Sequence, residues 1–256
     1  MNNESDVIRE PELYDLFNSR ERSDIDMYLT LFSKASSVLE LGIGTGRVAL
    51  PLAENGITVT GVDHSAEMLQ CLEKKLNSRP HDVSSKVKTI HQDFCYLDVE
   101  DKFDFAFYPL CTFNYLLTLE EQKNALNSLR KCLTSKAIVV FDLMTINTFP
   151  NMLYNNHHTG YDSVLHGDYD VNIATQSIFD QSTQLYTQDR KFDYVKKHDV
   201  VFKKRVRMIN RIFFLGEFKL LLEQCGYQID NYYGEYTFLK FSASSHSLIV
   251  VASPIS

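Results

Sequence analysis

The sequence predicts an α/β protein built on a doubly wound sheet, and three observations carry that prediction. Short apolar strand-like runs alternate with amphipathic helical runs from residue 38 to residue 143. The first of these runs, Val38-Leu39-Glu40-Leu41, passes directly into glycines at 42, 44 and 46. Residues 165–213 then break the rhythm with period-two alternation, as in Val171-Asn172-Ile173-Ala174 and Phe192-Asp193-Tyr194-Val195, so an antiparallel β insertion interrupts the sheet before the last helix.

The elements follow in order. Residues 10–32 place Leu13, Leu16, Phe17, Ile25, Tyr28, Leu29 and Phe32 at helical spacing, which predicts one or two amphipathic helices broken near 19–23. Strand 38–41 leads into a helix over 46–54, and strand 57–62 follows. Ser65 is placed to cap a helix over 65–77, with Met68, Leu69, Leu72 and Leu76 on one face. Residues 87–91 and 103–108 read as strands. Thr118 caps a helix through 133, with Glu120 and Glu121 in its first turn, where negative charge suits the helix dipole. A buried strand spans 136–143. A helix over 218–225 stops at Gly226. Strands 227–233 and 247–252 bring the sheet to seven, and the insertion supplies three or four antiparallel strands. The expected organisation is an N-terminal helical lid (1–35), a core (36–150 and 214–256) and an insertion (151–213) over the carboxyl ends of the parallel strands, where ligands bind. A substrate-covering lobe and an interface flap both fit such an insertion.

Bulk properties narrow the partners. A net charge of −7 disfavours nucleic acid, which demands a basic surface. The densest basic run, Lys203-Lys204-Arg205-Val206-Arg207, lies in strand-like sequence and reads as a solvated strand face. Five cysteines without C-x-x-C spacing suggest free thiols in a reducing cytoplasm. The histidines form no helical ligand pair, so no metal is expected. There is no 18-residue apolar stretch and no leader-like start. The chain is therefore expected to be cytoplasmic, without a membrane partner, as a monomer or homodimer.

The glycine turn indicates what is bound. A dinucleotide fingerprint is G-x-G-x-x-G; here the pattern is G-x-G-x-G, with Arg47 where the third glycine of that fingerprint would stand. Glu40 precedes the turn, and a carboxylate there repels a pyrophosphate but suits a cationic ligand end. Both features disfavour a nicotinamide dehydrogenase. Asp63 follows the second strand 21 residues after Gly42, close to the ~20 expected of an acid that takes ribose hydroxyls.

These residues resemble the class I S-adenosylmethionine-dependent methyltransferases. The matching stretches are Glu40-Leu41-Gly42-Ile43-Gly44-Thr45-Gly46, Asp63-His64-Ser65-Ala66-Glu67-Met68-Leu69, Gln92-Asp93-Phe94 and Phe103-Asp104-Phe105-Ala106-Phe107. They cover about residues 10–145, and 214–253 more loosely. The resemblance implies a Rossmann-like seven-stranded sheet with S-adenosylmethionine as methyl donor. It places Gly42 and Gly44 against the methionine part, counts Gly46 among the cofactor-binding residues, and sets Glu40 near the cationic end and Asp63 on the ribose. His64 and Met68 flank the adenine, although Met68 also fits plain helix core. Asp93 accepts from the adenine amino group, Phe94 donates its backbone amide, and Leu110 lies near the methionine chain. Arg20 or Arg47 can pair with the cofactor carboxylate.

The acceptor side is read from the remaining residues. Glu12-Leu13-Tyr14-Asp15 resembles the tyrosine-containing N-terminal motif of small-molecule N-methyltransferases, which puts Tyr14 at the methyl-transfer site. Phe17, Arg20 and Tyr28 would then form an aromatic, cation-tolerant wall. Phe107-Tyr108-Pro109-Leu110 lacks the Asn/Asp-Pro-Pro-aromatic motif of DNA-adenine and glutamine methyltransferases. The loop carrying Asn114 and Tyr115 resembles that of small-molecule members. Asp142 ends a strand at the carboxyl edge, and Asp162, with Asp168 and Asp170, could orient a cationic substrate. The expected activity is N-methylation of an amine on a small molecule or short natural-product peptide by direct in-line transfer, with Tyr14 and Asp162 at the chemistry. The alternatives are a small-molecule O-methyltransferase and a non-catalytic S-adenosylmethionine-binding protein.

Overall fold

A strand that ends in a glycine turn fixes where the rest of the chain must pack. The computed structural model of the protein describes residues 10–18, 23–148 and 157–255. Two helices, α1 (Pro11–Asn18) and α2 (Ser23–Leu31), precede β1 (Ser37–Leu41). The alternation continues through α3 (Ala49–Glu54), β2 (Thr58–Asp63), α4 (Ala66–Asn77), α5 (His81–Ser84), β3 (Val87–His91), β4 (Phe103–Tyr108), α6 (Leu119–Lys131) and β5 (Leu133–Met144). The insertion is β6 (His157–His166), β7 (Tyr169–Asp180), β8 (Leu185–Lys196) and β9 (Asp199–Arg211). The chain closes with α7 (Leu215–Gln224), β10 (Tyr227–Tyr233) and β11 (Ser247–Pro254).

The main sheet has seven strands in the order β10-β11-β5-β4-β1-β2-β3. β1 to β5 are mutually parallel where they pair, and β11 runs antiparallel to both β5 and β10. Strand order reverses between β1 and β4, and such a switch point opens a crevice at the carboxyl ends of the strands. The central strands are apolar almost throughout because both faces are covered. On one face Tyr28 of α2 and Phe32 just beyond it pack their rings tilted against Phe107, at 4.8 and 5.1 Å between ring centres. On the other, Phe113, Phe141, Phe213 and Phe218 meet mostly edge to face at 5.2–5.7 Å, joining β5 to α7.

The insertion is a separate four-stranded antiparallel sheet in the order β6-β7-β8-β9. Its inner face sets Val171, Ile173, Phe192 and Val206 against Leu13 of α1, with Tyr14, Leu16 and Tyr115 at the margin. Thus α1 packs on the insertion while α2 packs on the main sheet. Among the described residues no helix is long and apolar enough to cross a membrane.

Several boundaries move from those expected. The helix after the glycine turn begins at Ala49, not residue 46, because 46–48 are still turning out of the left-handed Gly46. The strand expected over 136–143 spans 133–144. The first described strand of the insertion starts at 157, ahead of the alternation read from 165, since an edge strand that alternates weakly gives little period-two signal.

Candidate active site

The glycine turn is held by its neighbours and open at one point. Gly42, Gly44 and Gly46 all take positive φ (+78°, +53° and +80°), which a side chain disfavours. A Cβ at Gly42 would stand 2.5 Å from Thr112 Cγ2, and one at Gly46 would run into Leu72, so those two glycines allow close packing. A Cβ at Gly44 would meet nothing within 4 Å. Gly42 N and Ile43 N donate to Val62 O at 2.7 and 3.1 Å. Asp63 completes the clamp: Gly44 N donates to its Oδ2 at 2.8 Å and Ser65 N to its Oδ1 at 2.9 Å. Burial pushes this carboxyl up, and the two backbone donors oppose the shift. Ser65 in turn accepts from Met68 N at 3.2 Å and caps α4.

Both N-terminal helices are tied to this turn. Asp24 of α2 is buried and receives the two prongs of Arg47, Nη1 at 3.1 Å and Nη2 as a short ion pair. Asp15 of α1 accepts from Thr45 Oγ1 at 2.5 Å and pairs with Lys75 at 2.7 Å. Tyr14 hydrogen-bonds Arg47, and burial pushes its phenol up to about 12. Glu40 lies beneath, 1 % exposed, and its Oε2 has no hydrogen-bond partner. Burial raises its pKa well above the carboxylate range; Arg47 opposes that, while Asp63 and Asp24 add to it.

A second buried carboxylate stands at the end of β5. Asp142 Oδ2 accepts from Leu110 N and from Tyr236 Oη, each at 3.1 Å. Its Oδ1, like the hydroxyl of Tyr28, is buried without a hydrogen-bond partner. Burial and then the charge of Asp24 push Asp142 up to about 7, against Tyr236, Leu110 and Arg47. The same residue fixes the loop after β4. Leu110 and Cys111 both take left-handed φ (43° and 59°), and Cys111 N donates to Asp142 O at 3.1 Å. Non-glycine residues held there cost on the order of 1 kcal/mol each and concentrate at functional sites.

Other expected site residues fall at varying distances from this group. Tyr115 lies near Tyr14 and hydrogen-bonds Asn210 of β9, and burial raises its phenol. Asn114 donates to Arg211 O at 2.6 Å and accepts from Met144 N at 3.1 Å, so both ends of its amide stitch the loop to β5 and β9. Asp93 is exposed and caps a short 3-10 turn through Cys95 N at 2.8 Å, and Phe94 is buried edge-on to Tyr108. Met68 is buried, whereas His64 stays at the rim. Asp162 is exposed on the edge strand β6, Asp168 pairs with Lys196 at 3.3 Å, and Asp170 is exposed, so this trio stands apart from Glu40 and Asp142. The side chain of Phe17, and Arg20 altogether, lie outside the described residues.

Five residues of the cluster escape a reading of the sequence. Asp24 and Tyr236 are brought in by tertiary packing alone. Gln188, Arg190 and Asn210 alternate in phase with Tyr186, Phe192 and Val206, and so turn inward on the insertion; a polar residue at an apolar phase was the available signal.

Comparison with known proteins agrees with this geometry. Residues 38–136 match the family model described as "Methyltransferase domain". The chain is 26% identical over 220 residues to "Putative methyltransferase YqeM" of Bacillus subtilis (strain 168), covering 84% of this chain and 83% of that one. Its fold resembles that of the CcbJ methyltransferase from Streptomyces caelestis (TM-score 0.78, 23% identity, 92% and 90% of the two chains). It also resembles that of the sugar N-methyltransferase KedS8 from Streptoalloteichus sp. ATCC 53650 (TM-score 0.74, 16% identity, 95% and 93%).

Proposed function

We propose that this chain, a class I S-adenosylmethionine-dependent methyltransferase, methylates an amine nitrogen of a small molecule or short peptide. The observation that carries the amine reading is the fully buried carboxylate of Asp142 at the end of β5, whose Oδ1 lacks a hydrogen-bond partner. Buried acids of this kind call for cationic or hydrogen-bond-donating partners.

The residues of the glycine turn fit the cofactor. Glu40 Oε2 suits its α-ammonium, and the backbone at Gly44 has room for close approach. Asp63, anchored by two amides, keeps lone pairs for ribose hydroxyls. Arg47 is engaged by Asp24, so its role is to hold α2 on the turn. Bound S-adenosylmethionine supplies an electrophilic methyl group on a sulfonium. The protein contributes position, since in-line displacement gains most of its acceleration from alignment.

Asp142 is the group proposed to face the amine. Only a neutral amine is nucleophilic. An α-amine of pKa ~7.7–8.0 is roughly 10–15% neutral at pH 7, so deprotonation costs about 1 kcal/mol, whereas a lysine-type amine costs about 4–5 kcal/mol. A carboxylate near 7 is matched to the first case: it holds the ammonium, takes its proton, and leaves the lone pair for the incoming methyl. The fold's likeness to a sugar N-methyltransferase supports the same reading.

The test is product identity. With methyl-deuterated cofactor and a panel of amines, phenols and carboxylic acids, mass spectrometry should find the label on nitrogen. Label on oxygen alone would reject the amine reading, and tight cofactor binding with no turnover on any acceptor would favour a binding protein.

A further inference from the structure

A hydroxyl from late in the chain reaches the carboxylate at the end of β5. Asp142 Oδ2 receives two donors, Leu110 N and Tyr236 Oη, each at 3.1 Å, while its Oδ1 is buried without a hydrogen-bond partner. Tyr236 belongs to the connection between β10 and β11, and that connection is a tight turn. Tyr233 pairs with Lys240 across it, Gly234 N donates to Leu239 O at 2.8 Å, and Phe238 N donates to Glu235 O at 3.1 Å. Phe238 takes a left-handed φ of 64°, which a residue with a side chain holds only where its surroundings impose it. Its ring meets that of Tyr233 edge-on at 5.2 Å between centres. Tyr233, Tyr236 and Phe238 all pack against the core face that carries Tyr28, Phe107 and Val140.

The residues just after the turn fasten it to β5. Thr145 Oγ1 donates to Ser245 O at 3.0 Å, Asn147 Nδ2 to Ala243 O at 2.5 Å, and Thr148 Oγ1 to His246 O at 2.7 Å. A Cβ at Gly234 would stand 2.0 Å from Ser245 Oγ, so the turn rests directly on the fastened segment. The residues that follow Asp142 in the chain thus anchor the turn that carries Tyr236.

A carboxylate free to rotate offers either oxygen. Two donors converging on Oδ2 remove that freedom and leave Oδ1 as the oxygen to accept from a ligand. A hydroxyl donor also favours the charged form. The groups that bear on Asp142 are Asp24 and Tyr28 of α2, Arg47 of the glycine turn, Cys111 of the loop after β4, and Tyr236. Burial and then the charge of Asp24 push the carboxyl up, and Tyr236 is foremost among the groups that hold it down, ahead of Leu110 N and Arg47. Burial and the charge of Asp142 raise the Tyr236 phenol in turn, so it keeps its proton and serves as the donor.

We propose that Tyr236 is a positioning residue of the methyl-transfer site, locking the Asp142 carboxylate so that Oδ1 alone is offered to the acceptor amine. This rests on the amine reading above and deepens it.

The experiment follows the Asp142 carboxyl directly, by carbon-13 NMR titration of the full chain carrying labelled aspartate. The resonance is assigned by its loss in Asp142→Asn, and pH profiles of kcat/KM are measured alongside. Tyr236→Phe keeps the ring and removes the donor. It should move the Asp142 midpoint up by about one pH unit and the kinetic limb with it. Activity should then fall about fivefold near pH 7 and return toward wild type by about pH 9, with cofactor affinity unchanged. A fluorinated tyrosine in place of Tyr236, a stronger donor of nearly the same shape, should move both the other way, and it carries the test where Tyr236→Phe fails to fold. A midpoint that stays put in both variants overturns the proposal, as does a loss of activity that is the same at every pH. A midpoint that moves while the kinetic limb stays would keep Tyr236 as the residue that fixes Asp142 and reject the amine reading, so the two claims fail separately.

Discussion

Arg47 of the glycine turn and Asp24 of α2 form a two-pronged ion pair in which the Asp24 side chain is fully buried. It joins α2 to the glycine turn. Removing one partner of a buried pair leaves an uncompensated charge and costs about 3–5 kcal/mol. Asp24→Leu should therefore lower stability by roughly that amount in urea denaturation. The double variant with Arg47→Met should lose much less than the sum of the two singles. Additive losses would mean that the pair does not act as a unit.

The glycines of the site should separate folding from binding. A Cβ at Gly61 would overlap Ile43, so Gly61→Ala should disrupt the turn and the fold with it. Gly44→Ala meets open space and carries only the strain of φ +53°, about 1 kcal/mol. It should fold with a near-native melting curve yet bind S-adenosylmethionine much more weakly by calorimetry.

The aromatic net between β5 and α7 sets core stability. Phe113 touches Tyr108, Phe141, Phe213 and Phe218 and is fully buried. Phe113→Ala should cost about 3–5 kcal/mol, read as a shift in the denaturation midpoint.

Stability should also depend on pH through Asp142. Its folded pKa, about 7, lies above the unfolded value, so between about pH 4 and pH 7 the folded state holds a proton that the unfolded chain releases. Stability then falls as pH rises through that window, by on the order of 4 kcal/mol, and levels off above it. Asp142→Asn should flatten this slope and melt higher than wild type at pH 8, while turning over more slowly.

Local pattern made the sheet legible: continuous apolar runs, the glycine turn, and the capping residues Ser65 and Thr118, both of which cap as their spacing implies. Period-two alternation from residue 165 onward made β7, β8 and β9 legible, while β6, an edge strand that alternates weakly, was not. The polar groups facing the site were harder to read. Asp24 and Tyr236 are distant in sequence from Arg47 and Asp142, and nothing local signals a buried ion pair or a hydroxyl reaching back from residues 234–246. Asp142 was legible from its place at a strand end. Asp162 attracted attention by proximity in sequence to other acids, and it proves to lie on an exposed edge strand.

Tyr14 offers a separate check on the chemistry. Its phenol hydrogen-bonds Arg47 between the turn and the insertion. Tyr14→Phe should lower kcat by about tenfold or more with cofactor affinity within a factor of two, since it removes one positioned hydroxyl and little packing.

The most direct measurement is the pH dependence of kcat/KM for an N-acceptor, compared between wild type and Asp142→Asn. The ionised carboxylate is the working form, so wild-type activity should rise with pH through a limb near 7, and the variant should lose that limb while still binding cofactor. Superimposable profiles in the two proteins would contradict the assignment of Asp142 to the amine.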